Sequence, residues 1–284
     1  MSAVDTSMSE RLSFWAGLLS LGGSTFILVS YIRFKALRHS FLNALVCMVA
    51  VADWFSSLSY IEVFLGLTRS DRGCLIQAIQ MQYFEQAAIL GTAAMSFYLW
   101  HTFILQSAKA PRIRTSPHSL PLAIILTFGV PLVGAIFVYV KEGYGQTGLW
   151  CWIMCDDDTF PQGCSWRMTL FYYELYAVVV LNVVTYIVVL AKLRDTKGRG
   201  RQDYASKVAT KLRMYLLAFA VSWLVPCINR LVQSFSDSDF SLPWLDYLMA
   251  FTNPLMGFTD AIVYGHYSGA WEMWTRRPDG RTII

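Results

Sequence analysis

Residues 120–140 read LPLAIILTFGVPLVGAIFVYV, 21 consecutive positions without a charged side chain. A helix rises about 1.5 Å per residue, so this stretch crosses the roughly 30 Å hydrocarbon core of a bilayer, for which about 20 apolar residues are needed. A soluble core rarely asks for even one run of that length. Working outward, three more apolar segments precede it, Leu12 to Ile32, Phe41 to Gly66 and Cys74 to Gln106. Three follow it, Trp166 to Lys192, Val208 to Gln233 and Pro243 to His266. Turn and breaker residues separate them, including Pro111 and Pro117, Gly143 to Gly148, and Gly198 and Gly200. The whole chain agrees: 55% of its 284 residues are hydrophobic and 15% charged, against about 25% charged in a typical soluble domain. The expected architecture is an all-α membrane protein, a seven-transmembrane helix bundle.

The first apolar segment follows a short polar lead, Met1 to Glu10, with no basic region before it and no small-residue cleavage site after it, so it is expected to be a retained span. The expected organisation is a short extracellular amino terminus (1–11), one seven-span domain (12–266) and a cytoplasmic tail (267–284). No internal repeat suggests two duplicated halves.

Orientation follows from Lys and Arg, which are retained on the cytoplasmic side when they flank spans. Of the 23 basic residues, 17 fall in one set of alternate loops: Arg33 to Arg38, Lys109 to Arg114, Lys192 to Arg213, and Arg276 to Arg281. The other side holds Arg11, Arg69, Arg72, Lys141 and Arg167, while Arg230 lies within the sixth span. The amino terminus is therefore expected outside and the carboxyl terminus inside, in a multi-pass protein of the plasma membrane. Cysteines give an independent test, because disulfides persist in oxidising extracellular space. Cys74, Cys151, Cys155 and Cys164 lie on the outer side, and four cysteines allow three connectivities. Cys47 and Cys227 lie within spans and read as packing thiols.

Enzyme chemistry finds little support. His39, His101, His118 and His266 all lie in inner loops or at inner span ends, and no Walker-type glycine loop, His-Glu-x-x-His or Gly-x-Ser-x-Gly occurs. The run Asp156 to Asp158 reads as a solvated acidic loop rather than a calcium site. No catalytic residue, metal, cofactor or nucleic-acid partner is expected. A retinal protein needs a lysine in its last span, and none follows Lys211. A transporter or channel using intramembrane carboxylates is the alternative to a receptor.

Ionisable residues within spans carry the most information, since a charge in hydrocarbon is costly unless it is paired or faces water. Helical rise places Glu85 about 16 Å below Cys74, Glu174 about 12 Å below Trp166 and Arg230 about 10 Å below Asp237, so all three can meet in the outer half. Gln82 and Gln86 flank Glu85, Gln77 stacks above it, and Glu62 and Asp246 sit near the outer rim. These eight form the candidate ligand set. An Arg230 ion pair with Glu85 or Glu174 that only stabilises packing is the competing reading, and the two are not exclusive. Near mid-membrane, Asp53 and Asn253, with Asp260 further inward, suggest a proton or sodium site or a satisfied hydrogen-bond network. Pro131, Pro226 and Pro254 lie within spans, and Pro226, three residues after Trp223, is the expected hinge of the sixth. Asp53, Trp223, Pro226, Asn253 and Asp260 thus form the candidate conformational switch.

On the inner face, Arg33, Lys35, Lys207, Lys211 and Arg213 form a candidate signalling surface for a cytoplasmic partner, and the same basic stretch suits anionic lipid. After the seventh span, Trp271, Met273 and Trp274 precede Arg276 and Arg277, which suits a short amphipathic interfacial helix. Thr282-Ile283-Ile284 matches a carboxyl-terminal PDZ ligand pattern of low specificity.

From about Leu12 to Trp271 these residues resemble the seven-helix receptors of the slime-mould cyclic AMP receptor family and their animal and plant relatives. The resemblance rests on Val51-Ala52-Asp53 with Ser57 to Tyr60, Cys74-Leu75-Ile76-Gln77, Phe128-Gly129-Val130-Pro131, Trp150-Cys151-Trp152-Ile153, and Asn253 through Gly265. It implies a disulfide from Cys74 to Cys151, leaving Cys155 and Cys164 to pair. It also implies a G-protein-coupled receptor that opens a cytoplasmic cleft to a heterotrimeric G protein when an extracellular ligand binds. The chain departs from the family pattern at Gly91, where a tryptophan is common, and at Asp260, where an asparagine is common. Gly91 is expected to enlarge the pocket.

Overall fold

The structure, a computed structural model, describes residues 6–101, 118–155, 160, 162–195, 203–235 and 243–275. Within these helices the side chains of residues 6, 192–195, 203–209, 211–212, 221 and 230–235 lie outside the description. The Asp156 to Asp158 run, the terminal PDZ-like tripeptide and the side chains of Lys207, Lys211 and Arg230 therefore fall outside it.

Among the described residues the chain forms seven successive helical spans and one short terminal helix. The first is α1 (Thr6–Arg33), followed by a single turn, α2 (Lys35–Arg38). The second and third are α3 (Phe41–Phe64) and α4 (Asp71–Trp100). The fourth comprises α5 (Ser119–Ile124), a π-helical turn (Ile125–Gly129) and α6 (Val130–Val140). The fifth comprises α7 (Gly163–Arg167), a second π turn (Met168–Tyr172) and α8 (Tyr173–Asp195). The sixth is α9 (Asp203–Phe235), and the seventh joins α10 (Pro243–Thr252) to α11 (Met256–Ser268) through a 3₁₀ turn at Asn253–Leu255. Helix α12 (Ala270–Thr275) closes the described chain.

Local chemistry sets the boundaries. Ser40 and Ser70 cap α3 and α4, their hydroxyls accepting from the backbone amides of Asn43 and Gly73. Pro131, Pro254 and Pro226 meet their missing donors differently. Pro131 follows the π turn of the fourth span, Pro254 sits inside the 3₁₀ turn that splits the seventh, and Pro226 lies within an unbroken α9. The second π turn contains no proline and has no counterpart among the expectations from sequence.

Among the described residues, four spans are long and apolar enough by composition to cross a membrane: Ser7–Arg33, Phe41–Phe64, Ser119–Val140 and Gly163–Ala191. Helix α4 is more polar because of its position. It packs against α3, α6, α8, α9 and both strands of the outer hairpin, so Gln77, Gln82, Gln86 and Glu85 meet protein rather than lipid. The fourth span shows the opposite pattern, presenting Ile125, Val130, Val133 and Val140 outward.

Buried apolar residues form two clusters. One takes α3 residues Leu42 to Ala52 together with Leu99, Tyr215 and Tyr264. The other starts on α3 at Tyr60 and gathers Met81, Trp150, Trp152, Phe171 and Trp223. Asp53, Ser56 and Ser57 occupy the stretch of α3 between them, all buried. Gly91 does not open a pocket: a β-carbon there would lie 2.7 Å from Val49 Cγ2, so the glycine lets α4 approach α3.

Strands β1 (Tyr144–Gln146) and β2 (Cys151–Ile153) form an antiparallel hairpin on the outer side, pairing Tyr144 with Ile153 and Gln146 with Cys151. Its turn uses Gly148 at φ 92°, a conformation that favours glycine. Cys74 is disulfide-bonded to Cys151 and Cys155 to Cys164. At the inner end, Gly269 ends α11 at φ 73° and turns the chain into α12. There the Trp274 indole donates to Ser30 Oγ at 2.8 Å, and the Arg33 guanidinium lies 4.9 Å from the Trp274 ring centre. Trp271 and Trp274 remain partly exposed, as suits a helix lying at an interface.

Candidate functional site

Two polar networks cross the middle of the bundle, and four of the eight candidate ligand residues belong to them. The outer network starts at the hairpin. Trp152 Nε1 donates to Gln82 Oε1 at 2.7 Å, Gln82 Nε2 donates to Gln86 Oε1 at 3.3 Å, and Gln86 Nε2 donates to Glu174 Oε2 at 2.5 Å. Gln82 and Gln86 stand one helical turn apart on α4, and this spacing lets one amide hand its bond to the next. The second Glu174 oxygen is buried with no hydrogen-bond partner among the described residues. The rings of Phe171 and Tyr172, from the π turn of the fifth span, meet the Trp152 indole edge-on at 5.0 and 5.8 Å. Above it, the Arg167 guanidinium lies 5.2 Å from the indole centre and donates through Nε to the Ile153 carbonyl at 2.9 Å.

The inner network is built on Glu85, which sequence placed with the ligand set. Tyr60 donates its hydroxyl to Glu85 Oε1, and Asn253 Nδ2 donates to the same hydroxyl at 2.6 Å. The α3, α4 and seventh-span backbones are thereby tied through one phenol. Beside it lies a cavity of about 10 Å³, room for the centre of about one water-sized sphere, lined by Ser20, Asp53, Ser56, Glu85, Trp223 and Asn253. Asp53 Oδ2 and Trp223 Nε1 are buried without hydrogen-bond partners among the described residues. Asp260, also buried, is near enough to interact electrostatically with Asp53 and with Tyr215.

Depth alone did not decide which residues meet. Glu85 and Glu174 share a level, yet Glu85 bonds Tyr60 while Glu174 bonds Gln86. Gln77 uses both ends of its amide on the scaffold: Nε2 donates to the Ser59 carbonyl at 2.8 Å, and Oε1 accepts from the Cys151 amide at 2.9 Å. Asp246 accepts from Asn229 Nδ2 at 3.0 Å, linking the sixth and seventh spans. Glu62 is half-buried at the end of α3 and joins neither network. The Arg230 side chain lies outside the described residues.

Of the switch candidates, Trp223 touches Phe171 with ring centres 5.8 Å apart, so an aromatic path runs from Trp152 through Phe171 to the residue that precedes Pro226 by one turn. On the inner face Arg33 is engaged with Trp274, Lys35 is exposed, and Arg213 lies 5.9 Å from the Tyr186 ring centre. Three residues outside the candidate site sets prove central: Tyr60, Trp152 and Ser20. Each is uncharged at neutral pH, so a search for charges buried within spans does not select it. In the hairpin, burial pushes the Tyr144 phenol above its ordinary range and keeps it a donor to the Ala135 carbonyl at 3.3 Å.

Removing the Tyr60 hydroxyl tests the inner network. Tyr60→Phe leaves Glu85 and Asn253 without a shared partner, an expected loss of about 1–3 kcal/mol, read as a lower melting temperature of the purified protein in detergent. An unchanged melting temperature would show that the phenol carries no structural bond.

Comparison with known proteins gives concordant results. The family model of the slime mold cyclic AMP receptor matches residues 1–274. Cyclic AMP receptor-like protein A of Dictyostelium discoideum is 28% identical over 263 residues, covering 92% of this chain and 64% of that protein. The chain thus spans slightly less than two thirds of that relative's length. G-protein coupled receptor 1 of Arabidopsis thaliana is 27% identical over 280 residues, covering 94% of this chain and 81% of that protein. Among solved structures, squid rhodopsin superposes with a TM-score of 0.71 at 15% identity, covering 96% of this chain and 87% of that one. This last likeness is one of fold.

Proposed function

The chain belongs to the slime mould cyclic AMP receptor family, and from that premise we propose that it is a plasma-membrane receptor that senses an extracellular ligand and activates a heterotrimeric G protein. The observation that carries this reading is the continuous path from outside to hinge. It runs from the hairpin's Trp152 to Gln82, Gln86 and Glu174 on one side, and through Phe171 to Trp223 on the other. A ligand that reorders the outer network changes the packing of Trp223, one turn before Pro226. The proline lacks an amide donor and so lowers the cost of bending α9 there. Bending at that point carries the basic inner end of α9, Lys207 to Arg213, away from the bundle and exposes a cleft to the partner. The ligand itself is a small polar molecule recognised by Gln82, Gln86 and Glu174. Glu85 belongs with Asp53, Asn253 and Asp260 in the switch beneath, and Lys35 and the inner end of α9 meet the G protein and anionic lipid.

The test is nucleotide exchange on a panel of purified heterotrimeric G proteins, with the receptor in lipid nanodiscs. Exchange above background is expected with at least one partner. The Lys207→Glu/Lys211→Glu variant is expected to lower it about tenfold, equivalent to about 1.4 kcal/mol of lost coupling. Solute or ion flux through the reconstituted protein, with no exchange on any partner, would sink the receptor reading and favour a transporter.

A further inference from the structure

Away from both polar networks, the inner half of the bundle holds a groove of about 600 Å³. That volume falls within the roughly 300–1,000 Å³ of pockets that hold small molecules. Two helical stripes form its walls. On α4, Leu90, Ala93, Ala94, Phe97, Tyr98 and His101 recur at spacings of three and four, which places them on one face. Ser119, Leu122, Ala123 and Leu126 do the same along α5 and the π turn. The backbone explains the gap between them. The outer part of the fourth span packs against α4 through α6 and the π turn, whereas α5 packs chiefly against α3. The two walls therefore diverge toward the inner face, and the alanines at 93, 94 and 123 leave the wedge between them unfilled.

Phe97, Leu122 and Leu126 are each at least half exposed, so the wedge opens sideways, toward hydrocarbon. Along α4 it runs from Leu90 to His101, about 16 Å at helical rise, close to half of the roughly 30 Å core of a bilayer. Its polarity has one direction. Tyr98 and His101 near the end of α4 and Ser119 at the start of α5 mark the inner end, and the remaining lining residues are apolar. None of the described lining residues is a lysine, an arginine or a carboxylate. From this geometry we propose that the groove is a binding site for a sterol of the inner leaflet, its rings along the alanines and its hydroxyl at His101 and Ser119. A phospholipid brings a phosphate, which calls for cationic partners that this lining does not supply. Its acyl chains are also flexible, and holding them in one shape costs rotamer entropy that a fused ring system does not lose. A sterol requires one neutral hydrogen-bonding rim and an apolar wall a single leaflet long, and the groove has both.

The bound sterol touches contacts that hold the inner half together. Ser96, within the same stretch of α4, donates to Asn182 Oδ1 on α8, and Leu181, the neighbour of Asn182, lines the groove. At the polar end the rings of Phe41 and Tyr98, both lining residues, join α3 to α4 with centres 4.9 Å apart. A molecule seated there packs against the second, third, fourth and fifth spans at once. It binds the packed bundle and not the separated helices, so it stabilises the fold by mass action. This inference does not depend on the receptor reading: it needs only that the protein lies in a bilayer.

Photolabelling in nanodiscs tests the assignment. The full chain is placed in phosphatidylcholine discs containing a graded fraction of cholesterol that carries a diazirine, and labelled peptides are identified by mass spectrometry. Saturable labelling is expected at 90–101 and 119–126, while exposed Val133 and Val140 of α6 take label only in proportion to the sterol present. Ala94→Trp, which fills the wedge, is expected to cut the saturable part about tenfold, and His101→Leu/Ser119→Ala about fivefold, the worth of about one hydrogen bond. Cholestane, the same rings without the hydroxyl, is expected to compete weakly. Labelling of the groove that never saturates, or equal competition by cholestane, would overturn the proposal. A diazirine phospholipid that labels the groove saturably in place of the sterol would assign it to an acyl chain, and a dimer crosslinked through the same residues would assign it to a second copy; either result sinks the sterol reading. If Ala94→Trp does not fold, Ala123→Val takes its place. The melting temperature of the native protein is expected to rise with the sterol fraction and to level off, and an unchanged value would count against the site without any variant.

Discussion

Gly257→Val is expected to cost the protein about 3 kcal/mol or more and to leave little monodisperse material after extraction. The reason is the contact between α1 and α11. A β-carbon at Gly257 would lie 2.1 Å from Ser24 Oγ and 2.8 Å from the Ser20 carbonyl oxygen; one at Gly23 would lie 2.5 Å from the Gly257 carbonyl oxygen. Behind the two serine hydroxyls that meet a β-carbon at Gly257 lies the Ser20 carbonyl, and backbone cannot rotate away, so the helices must separate. Overpacking of this kind commonly costs about 1–3 kcal/mol. A second loss adds to it. The Gly257 amide lies in the first turn of α11, just after the 3₁₀ break, and so has no partner within its own helix. Ser20 Oγ accepts from it at 3.0 Å across the interface, and that bond is lost when the helices part, at about 1 kcal/mol or more. Small residues serve the same purpose in other membrane helices, where they let backbones approach and bond. Gly22→Ala is the control, because a β-carbon at exposed Gly22 meets nothing within 4 Å. Melting in detergent should separate the two clearly. Similar melting temperatures for both variants would remove the close α1–α11 approach as the explanation.

The second large effect is expected from Cys74→Ser. The Cys74–Cys151 bond closes a separation of 77 residues, whereas Cys155–Cys164 closes one of 9. Chain entropy assigns about 4.5 kcal/mol to the longer loop and about 2.6 kcal/mol to the shorter. The first figure is an upper bound, since helices that remain in the membrane already limit how far the open loop can spread. Cys74→Ser also releases the strand that holds Trp150 and Trp152 in the bundle, so its effect extends from stability to the outer network. The melting temperature is expected to fall more for Cys74→Ser than for Cys155→Ser. The opposite order would mean that the short bridge, and not the hairpin anchor, holds the outer face together.

Much of the architecture is legible in the chain because lipid narrows the choices. A backbone in hydrocarbon must satisfy its own hydrogen bonds, so an uncharged run such as 120–140 has to be a helix. The asymmetry of basic residues, the prolines within spans and the outer cysteines are equally local signals. The pairing of those cysteines came from family resemblance, and the structure joins them as that resemblance implies. The third span is less apparent from hydropathy because it is the central one, and its polar residues face protein.

The candidate site was legible only in part. Helical rise fixes the depth of Glu85, Gln86 and Glu174 from sequence, and depth is one coordinate of three. Direction around each helix axis, and the neighbour met in that direction, depend on how the helices pack. Two π turns alter that direction in the fourth and fifth spans, and one of them brings Phe171 and Tyr172 onto Trp152. Thus Glu85 bonds Tyr60 across the helices rather than the glutamines beside it on α4. Tyr60 and Trp152 are not marked as site residues by the sequence, because an uncharged aromatic carries no cost that would single it out before its neighbours are known. What the chain determined by itself was the number, order and depth of its helices, since hydrocarbon enforces those residue by residue. What the tertiary structure alone decided was which buried polar groups share a bond and which loop side chain reaches them, since these depend on contacts between segments far apart in sequence.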